Sequence, residues 1–164
     1  MTSIIKVDSI QNTSGTVITG IVGAEVKQIT ASSTRSSATS YADDLDFGSY
    51  TPKLTNSTVL IQGVANFDSA NNNYCYYKWV VDGSDFLSTG STPLATHIFY
   101  SATSLNNLGH VPSTIITSVS NTDGSAISVK CQGKVQSGTL SINRSNNASQ
   151  GGSPSSVMFL ELAP

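Results

Sequence analysis

Apolar and polar residues alternate along most of this chain, and the longest alternating stretch runs from Ser57 to Asp82. Val59, Ile61, Ala65 and Phe67 fall on one side of an extended strand, with Gly63 among them. Leu60, Gln62, Val64 and Asn66 fall on the other. A second limb sets Cys75, Tyr77, Trp79 and Val81 against Tyr74, Tyr76, Lys78 and Val80. The period of two, together with β-branched and aromatic side chains, predicts strands rather than helices. The polar run Asp68–Asn73 between the limbs predicts an antiparallel hairpin, and Asp82-Gly83 closes it with a turn signal.

The same pattern predicts further strands over 26–34, 96–102, 113–121, 126–135, 139–144 and 156–162. In the fourth of these Ile127, Val129, Cys131 and Gly133 share a face. Ser137-Gly138 reads as a two-residue hairpin turn, and Asn146–Pro154 as a long Gly/Ser/Asn loop. About eight strands without a helical period predict an all-β fold, a jelly-roll-like antiparallel sandwich or barrel spanning residues 25–164. Residues 1–24 read as an extended N-terminal arm, with Gly23 as a hinge. The arm's isoleucines and valines lie on both sides of a segment too short for a core. They call for burial against the main domain or, as we favour, against a partner chain.

A chain of 164 residues is one domain with room to bury a core. Charged residues are 11%, against the usual share of about 25%, and roughly a third of the chain is Ser, Thr or Asn. Because hydrophobic residues are 38% and recur in blocks, the composition fits a folded β protein with hydroxyl-rich outer faces rather than a disordered chain. A net charge of -2, with lysines and arginines scattered, argues against a nucleic-acid partner. No stretch reaches the ~20 apolar residues of a membrane helix. The opening residues lack the pattern of a secretory signal, so the expected compartment is a cytoplasm until lysis. In that setting Cys75 and Cys131 read as reduced and buried rather than joined.

Candidate chemistry is sparse. Asp43, Asp44 and Asp46 crowd together, yet the position where an EF-hand loop needs a bidentate carboxylate holds Thr55, so a solvated loop is expected rather than a calcium site. His97 and His110 lack companions at metal-ligand spacing, and no cofactor is expected. Asp82, Asp85, Asp123 and Glu161 are the carboxylates that glycoside chemistry would have to pair, and no motif joins them. The expectation is not an enzyme. The strip Tyr74, Tyr76, Tyr77 and Trp79 reads first as core or interface, and second as a platform for stacking on sugar rings.

The opening Ser3-Ile4-Ile5-Lys6-Val7-Asp8-Ser9-Ile10-Gln11, followed by Asn-Thr-Ser-Gly-Thr, resembles the start of virion structural proteins of marine tailed bacteriophages, cyanophages and their relatives. There an Ile-Lys-Val-Asp-x-Ile-Gln arm precedes variable β-rich domains. The closing residues Ser155–Leu162 are similar to the last strand of their C-terminal barrels, which ends in a Glu-Leu or Glu-Ile pair. The resemblance implies a fibre or capsid-decoration subunit, homotrimeric, residing in the virion after assembly in the host bacterial cytoplasm. Its partners would be phage capsid or tail proteins. Ile4, Ile5, Val7 and Ile10 would anchor the arm to the particle. The family motif carries no catalytic residues. A tail fibre usually has a longer shaft, so a short head fibre or capsid decoration is the closer match. The alternative is a tail-fibre tip module that binds host surface glycan through Tyr74 and Tyr76.

Overall fold

The computed structural model describes residues 20–69, 73–86, 97–101, 115–144 and 152–164. It is an all-β antiparallel sandwich; no helix occurs among these residues, and so none that could cross a membrane. The first sheet contains β1 (Ile21–Ile29), β12 (Ser155–Leu162), β4 (Ser57–Val64) and β9 (Ile115–Asn121), in that spatial order. The second contains β3 (Ala42–Tyr50), β10 (Ile127–Val135), β6 (Asn73–Val81) and β7 (Ser84–Asp85), and β8 (His97–Ser101) also pairs with β6. A small third sheet joins β2 (Ser33–Arg35), β11 (Leu140–Ile142) and β5 (Phe67–Ser69). The long strands β1, β3, β4, β6, β9, β10 and β12 alternate between the two large sheets, the crossing pattern of a jelly roll.

This alternation corrects the expected hairpin over Ser57–Asp82. Its two limbs, β4 and β6, are not hydrogen-bonded to each other. β4 pairs with β12 and β9, and β6 with β10, β7 and β8. Both limbs carry one strongly apolar face. Placed in opposite sheets, those faces bury one another. Val59, Ile61, Cys75, Tyr77 and Trp79 are each at most 1% exposed. Val157 and Phe159 join them from β12, and Leu45, Phe47, Val129 and Cys131 from β3 and β10. Gly63 completes the fit. A Cβ there would stand 2.6 Å from Cη2 of the Trp79 indole, so the missing side chain is the space the ring occupies.

Other expectations also shift. β1 starts at Ile21, opposite Leu162, so residues 21–24 belong to the sheet and Gly23 is no hinge. Gly23 sits where a Cβ would collide with the Tyr50 hydroxyl, 2.2 Å away. The run Asp43–Gly48 is part of a strand rather than a solvated loop, because pairing with β10 and separate cations absorb its charges. Asp44 turns toward Arg35, which donates from Nε (2.7 Å) and Nη2 (2.9 Å), and also accepts from Gly133 N–H. Asp43 faces outward and takes Lys130 Nζ at 2.7 Å. The Ser137-Gly138 turn, with Gly138 at φ +79°, leads away from β10 into the small sheet instead of closing a hairpin. Asp82-Gly83 does close one: both residues have positive φ, and Val81 pairs with Ser84. Cys75 and Cys131 are buried free thiols, standing opposite Val135 and Trp79 respectively on paired strands. Burial raises both thiols' pKa, so neither is a ready nucleophile.

The facing of Gly63 and Trp79 is testable by stability. Gly63→Ala puts a methyl against a rigid, fully buried ring that has no open side to move into. Urea unfolding should show a loss of about 1–3 kcal/mol, the usual cost of overpacking. An unchanged midpoint would mean the indole does not fill that gap.

Candidate functional site

The outer face of the second sheet collects the polar and aromatic side chains that the core excludes. Along β6, Tyr74, Tyr76 and Lys78 alternate outward against Cys75, Tyr77 and Trp79. Register places Lys134 of β10 opposite Tyr76, and Gln132 opposite Lys78. Tyr41, just before β3, adds a third ring. Lys134 Nζ lies 4.7 Å from the Tyr41 ring centre and 5.1 Å from that of Tyr76, so the ammonium sits between two aromatic rings. Lys78 Nζ lies 5.0 Å from the Tyr41 ring and 2.7 Å from each carboxylate oxygen of Asp85. Tyr74 is 42% exposed, with its ring 6.3 Å from that of Tyr76 and tilted by 34°.

The electrostatics of this face are settled by neighbours. Desolvation, and then the charge of Asp85, push the Tyr41 hydroxyl up to about 12, so it stays protonated at neutral pH. A hydrogen bond from Lys130 is the main cause holding Asp43 below the usual carboxylate range, and Lys130 is raised in return. Among the described residues, no carboxylate lies in ion-pair range of Lys134. The arrangement is an aromatic platform of three tyrosines with the Lys134 ammonium held between two of them.

The four carboxylates singled out from sequence do not converge. Asp85 holds Lys78, Asp82 accepts from Ser128 N–H, and Asp123 accepts from Ser125 N–H. Asp82 and Asp123 share the lining of a pocket of about 90 Å³, far below the ~300 Å³ at which ligand pockets begin. Glu161 is wholly buried. Its Oε2 accepts from Tyr50 Oη and Lys53 N–H, both at 2.8 Å, and Oε1 accepts from Leu54 N–H at 2.9 Å. Desolvation pushes this carboxyl up, but the Lys53 and Leu54 amides with the Ser57 and Tyr50 hydroxyls outweigh it and hold the pKa at about 2. Glu161 therefore ties the loop after β3 to β12, as an ionised structural group. Among the described residues no cluster of His, Cys, Asp or Glu is placed to hold a metal.

Of the site residues read from sequence, Tyr74 and Tyr76 come together on this outer face, whereas Tyr77 and Trp79 are core. The expected anchoring residues Ile4, Ile5, Val7 and Ile10 lie outside the described residues, as does His110. Tyr41, Lys78 and Lys134 escaped notice as parts of the platform. Period-two alternation puts Lys78 on the face of Tyr76, but only the β6–β10 register brings in Lys134. Comparison with known proteins finds no family model that matches the chain. No curated protein matches it at a significant level.

The Glu161 tie has a pH signature. Its folded pKa of about 2 lies below the ordinary 4.5, so between these values the unfolded chain binds more protons. The stability it contributes is complete above pH 4.5 and disappears as the pH falls toward 2. Glu161→Gln turns an amide NH₂ toward N–H donors and should cost about 1–3 kcal/mol at neutral pH. In urea melts, the gap between wild type and variant should narrow through that acid window. A gap that stays constant across it would assign Glu161 no ionised role.

Proposed function

We propose that this chain is a bacteriophage virion structural protein, a homotrimeric head-fibre or capsid-decoration subunit held to the particle by its N-terminal segment. The opening Ile4-Ile5-Lys6-Val7-Asp8-Ser9-Ile10-Gln11 supports the family reading through the resemblance it carries. One structural observation bears most on the mode of assembly. The first described strand, β1, turns Ile21 and Val26 outward, 64% and 66% exposed, and Ile4, Ile5, Val7 and Ile10 precede it in the sequence. Apolar surface of this kind marks contact with other chains.

A second reading has its own observation. The exposed Tyr74, its neighbour Tyr76 and the ring-held Lys134 favour a glycan-binding tip module, with sugar rings stacking on tyrosine. The two readings are compatible, since the platform and β1 belong to different sheets.

Removing residues 1–19 leaves β1 whole, and the product should stay soluble with an unchanged urea midpoint but be missing from purified particles. Cutting through Gly23 should in addition lower stability, because β1 loses its pairing with Leu162 and Glu161. Normal incorporation of the shorter deletion would remove the anchoring role. For the second reading, binding on a glycan array should vanish in both Tyr74→Ala and Tyr76→Ala; binding unaffected by either would place any glycan site elsewhere.

A further inference from the structure

Among the described residues, the lysines on the outer face of the second sheet are paired with carboxylates, with one exception. Lys78 Nζ lies 2.7 Å from both carboxylate oxygens of Asp85, and Lys130 Nζ lies 2.7 Å from Asp43 and 3.6 Å from Asp46. Lys134 is different. Its ammonium rests between the rings of Tyr41 and Tyr76, and no carboxylate among the described residues pairs with it. The rings position the charge, and its three N–H donors are left for a partner or for water. Asp85 is already engaged through both oxygens by Lys78, and the Tyr41 hydroxyl, kept protonated by burial and by Asp85, adds no negative charge. The Lys130 cluster lies farther along β10, roughly 13 Å away at ~3.3 Å per residue, beyond the ~8 Å screening length of physiological salt. The charge next to the exposed Tyr74 and its neighbour Tyr76 is therefore a single positive one.

We infer that the ligand of this face is an acidic glycan, its sugar rings lying on Tyr74 and Tyr76 and its carboxylate or sulfate group meeting Lys134 Nζ. The inference deepens the glycan-binding reading and rests on it. Charge complementarity selects the acid. A neutral sugar would take the ammonium from water and return only hydroxyl oxygens, whereas an anionic group supplies a charge-assisted acceptor at the same place. The order of the groups agrees. Across the strands the row runs Tyr41, Lys134, Tyr76, with Tyr74 next along β6. The cation thus stands beside the exposed ring, where a substituent of a stacked sugar meets it and neither ring need move. Preorganisation adds to this. A lysine stem ordinarily loses rotamer freedom when it takes a partner; here two rings already hold it. Carboxylates and sulfates share this chemistry, because an ammonium is a compact point charge without the planar fork that would tell one from the other.

A glycan array carrying oligogalacturonates, sialosides and sulfated galactans, each beside its uncharged counterpart, tests this with the full-length protein. At low salt the wild type should bind at least one acidic class about tenfold or more tighter than its uncharged counterpart, the gain of one charge-assisted hydrogen bond. That gap should shrink as salt is added. A preference among uronates and sialosides alone would name the carboxylate as the group read, and one among sulfated sugars alone the sulfate. Lys134→Met keeps the stem and removes the charge; it should bring the acidic sugars down to the affinity of the neutral ones, with circular dichroism unchanged. Lys134→Arg should keep the preference, and Lys130→Met, farther along β10, should leave it as in the wild type. Equal binding of acidic and neutral sugars, lost in Tyr74→Ala, would overturn the acidic ligand and leave the glycan-binding reading standing. An acidic preference that survives in Lys134→Met would overturn it in the same way. No binding to any sugar of the array would overturn both.

Discussion

Everything in this fold follows from Trp79 and Gly63 meeting across the sandwich. The indole of β6 fills the space that Gly63 leaves in β4, and Phe47 stacks against it from β3, with ring centres 5.9 Å apart. A buried aromatic of this size hides about 150–250 Å², worth roughly 4–6 kcal/mol before entropy is counted. That gain requires the two limbs to lie in opposite sheets. With β4 and β6 in opposite sheets, β12 and β9 pair with β4 and β10 pairs with β6, and the strands alternate between the two sheets.

Polar ties then fix the two sheets against sliding. Glu161, wholly buried on β12, holds the amides of Lys53 and Leu54 and the hydroxyl of Tyr50 from the end of β3. The same Tyr50 ring stacks on Phe159, with centres 5.3 Å apart. Arg35 and Asp44 join the small sheet to β3 and to Gly133 of β10. Asn143, at φ +54°, donates to the carbonyls of Ile29 and Ala31 and accepts from Ser155. Among the described residues every buried side-chain nitrogen and oxygen has a partner, so none of these ties leaves a buried polar atom unpaired. With the interior closed in this way, the two outer faces can differ freely: one aromatic with mostly paired charges, the other mostly apolar.

Much of the fold could be read from the alternation of residues, and its limits have physical causes. The inward faces of β4, β6 and β10 were visible because a period of two decides which side a residue takes. It does not decide which sheet the strand joins, so β4 and β6 looked like a hairpin. Asp43, Asp44 and Asp46 looked like a loop because their cations come from elsewhere: Arg35 from β2 and Lys130 from β10. Glu161 was read as one of four carboxylates and not as a tie, since its main partners are backbone amides that no composition displays. Tyr74 and Tyr76 were placed together by spacing alone, while the cation between Tyr76 and Tyr41 needed the register of β10.

The most direct test of this account is a proton NMR measurement of which strands touch. Nuclear Overhauser contacts between the Trp79 indole ring and the α-protons of Gly63 are predicted, together with α-proton contacts across the β4–β12 and β6–β10 pairs. Cross-strand α-proton contacts between β4 and β6, with the indole remote from Gly63, would show the hairpin instead and contradict the packing from which the rest follows.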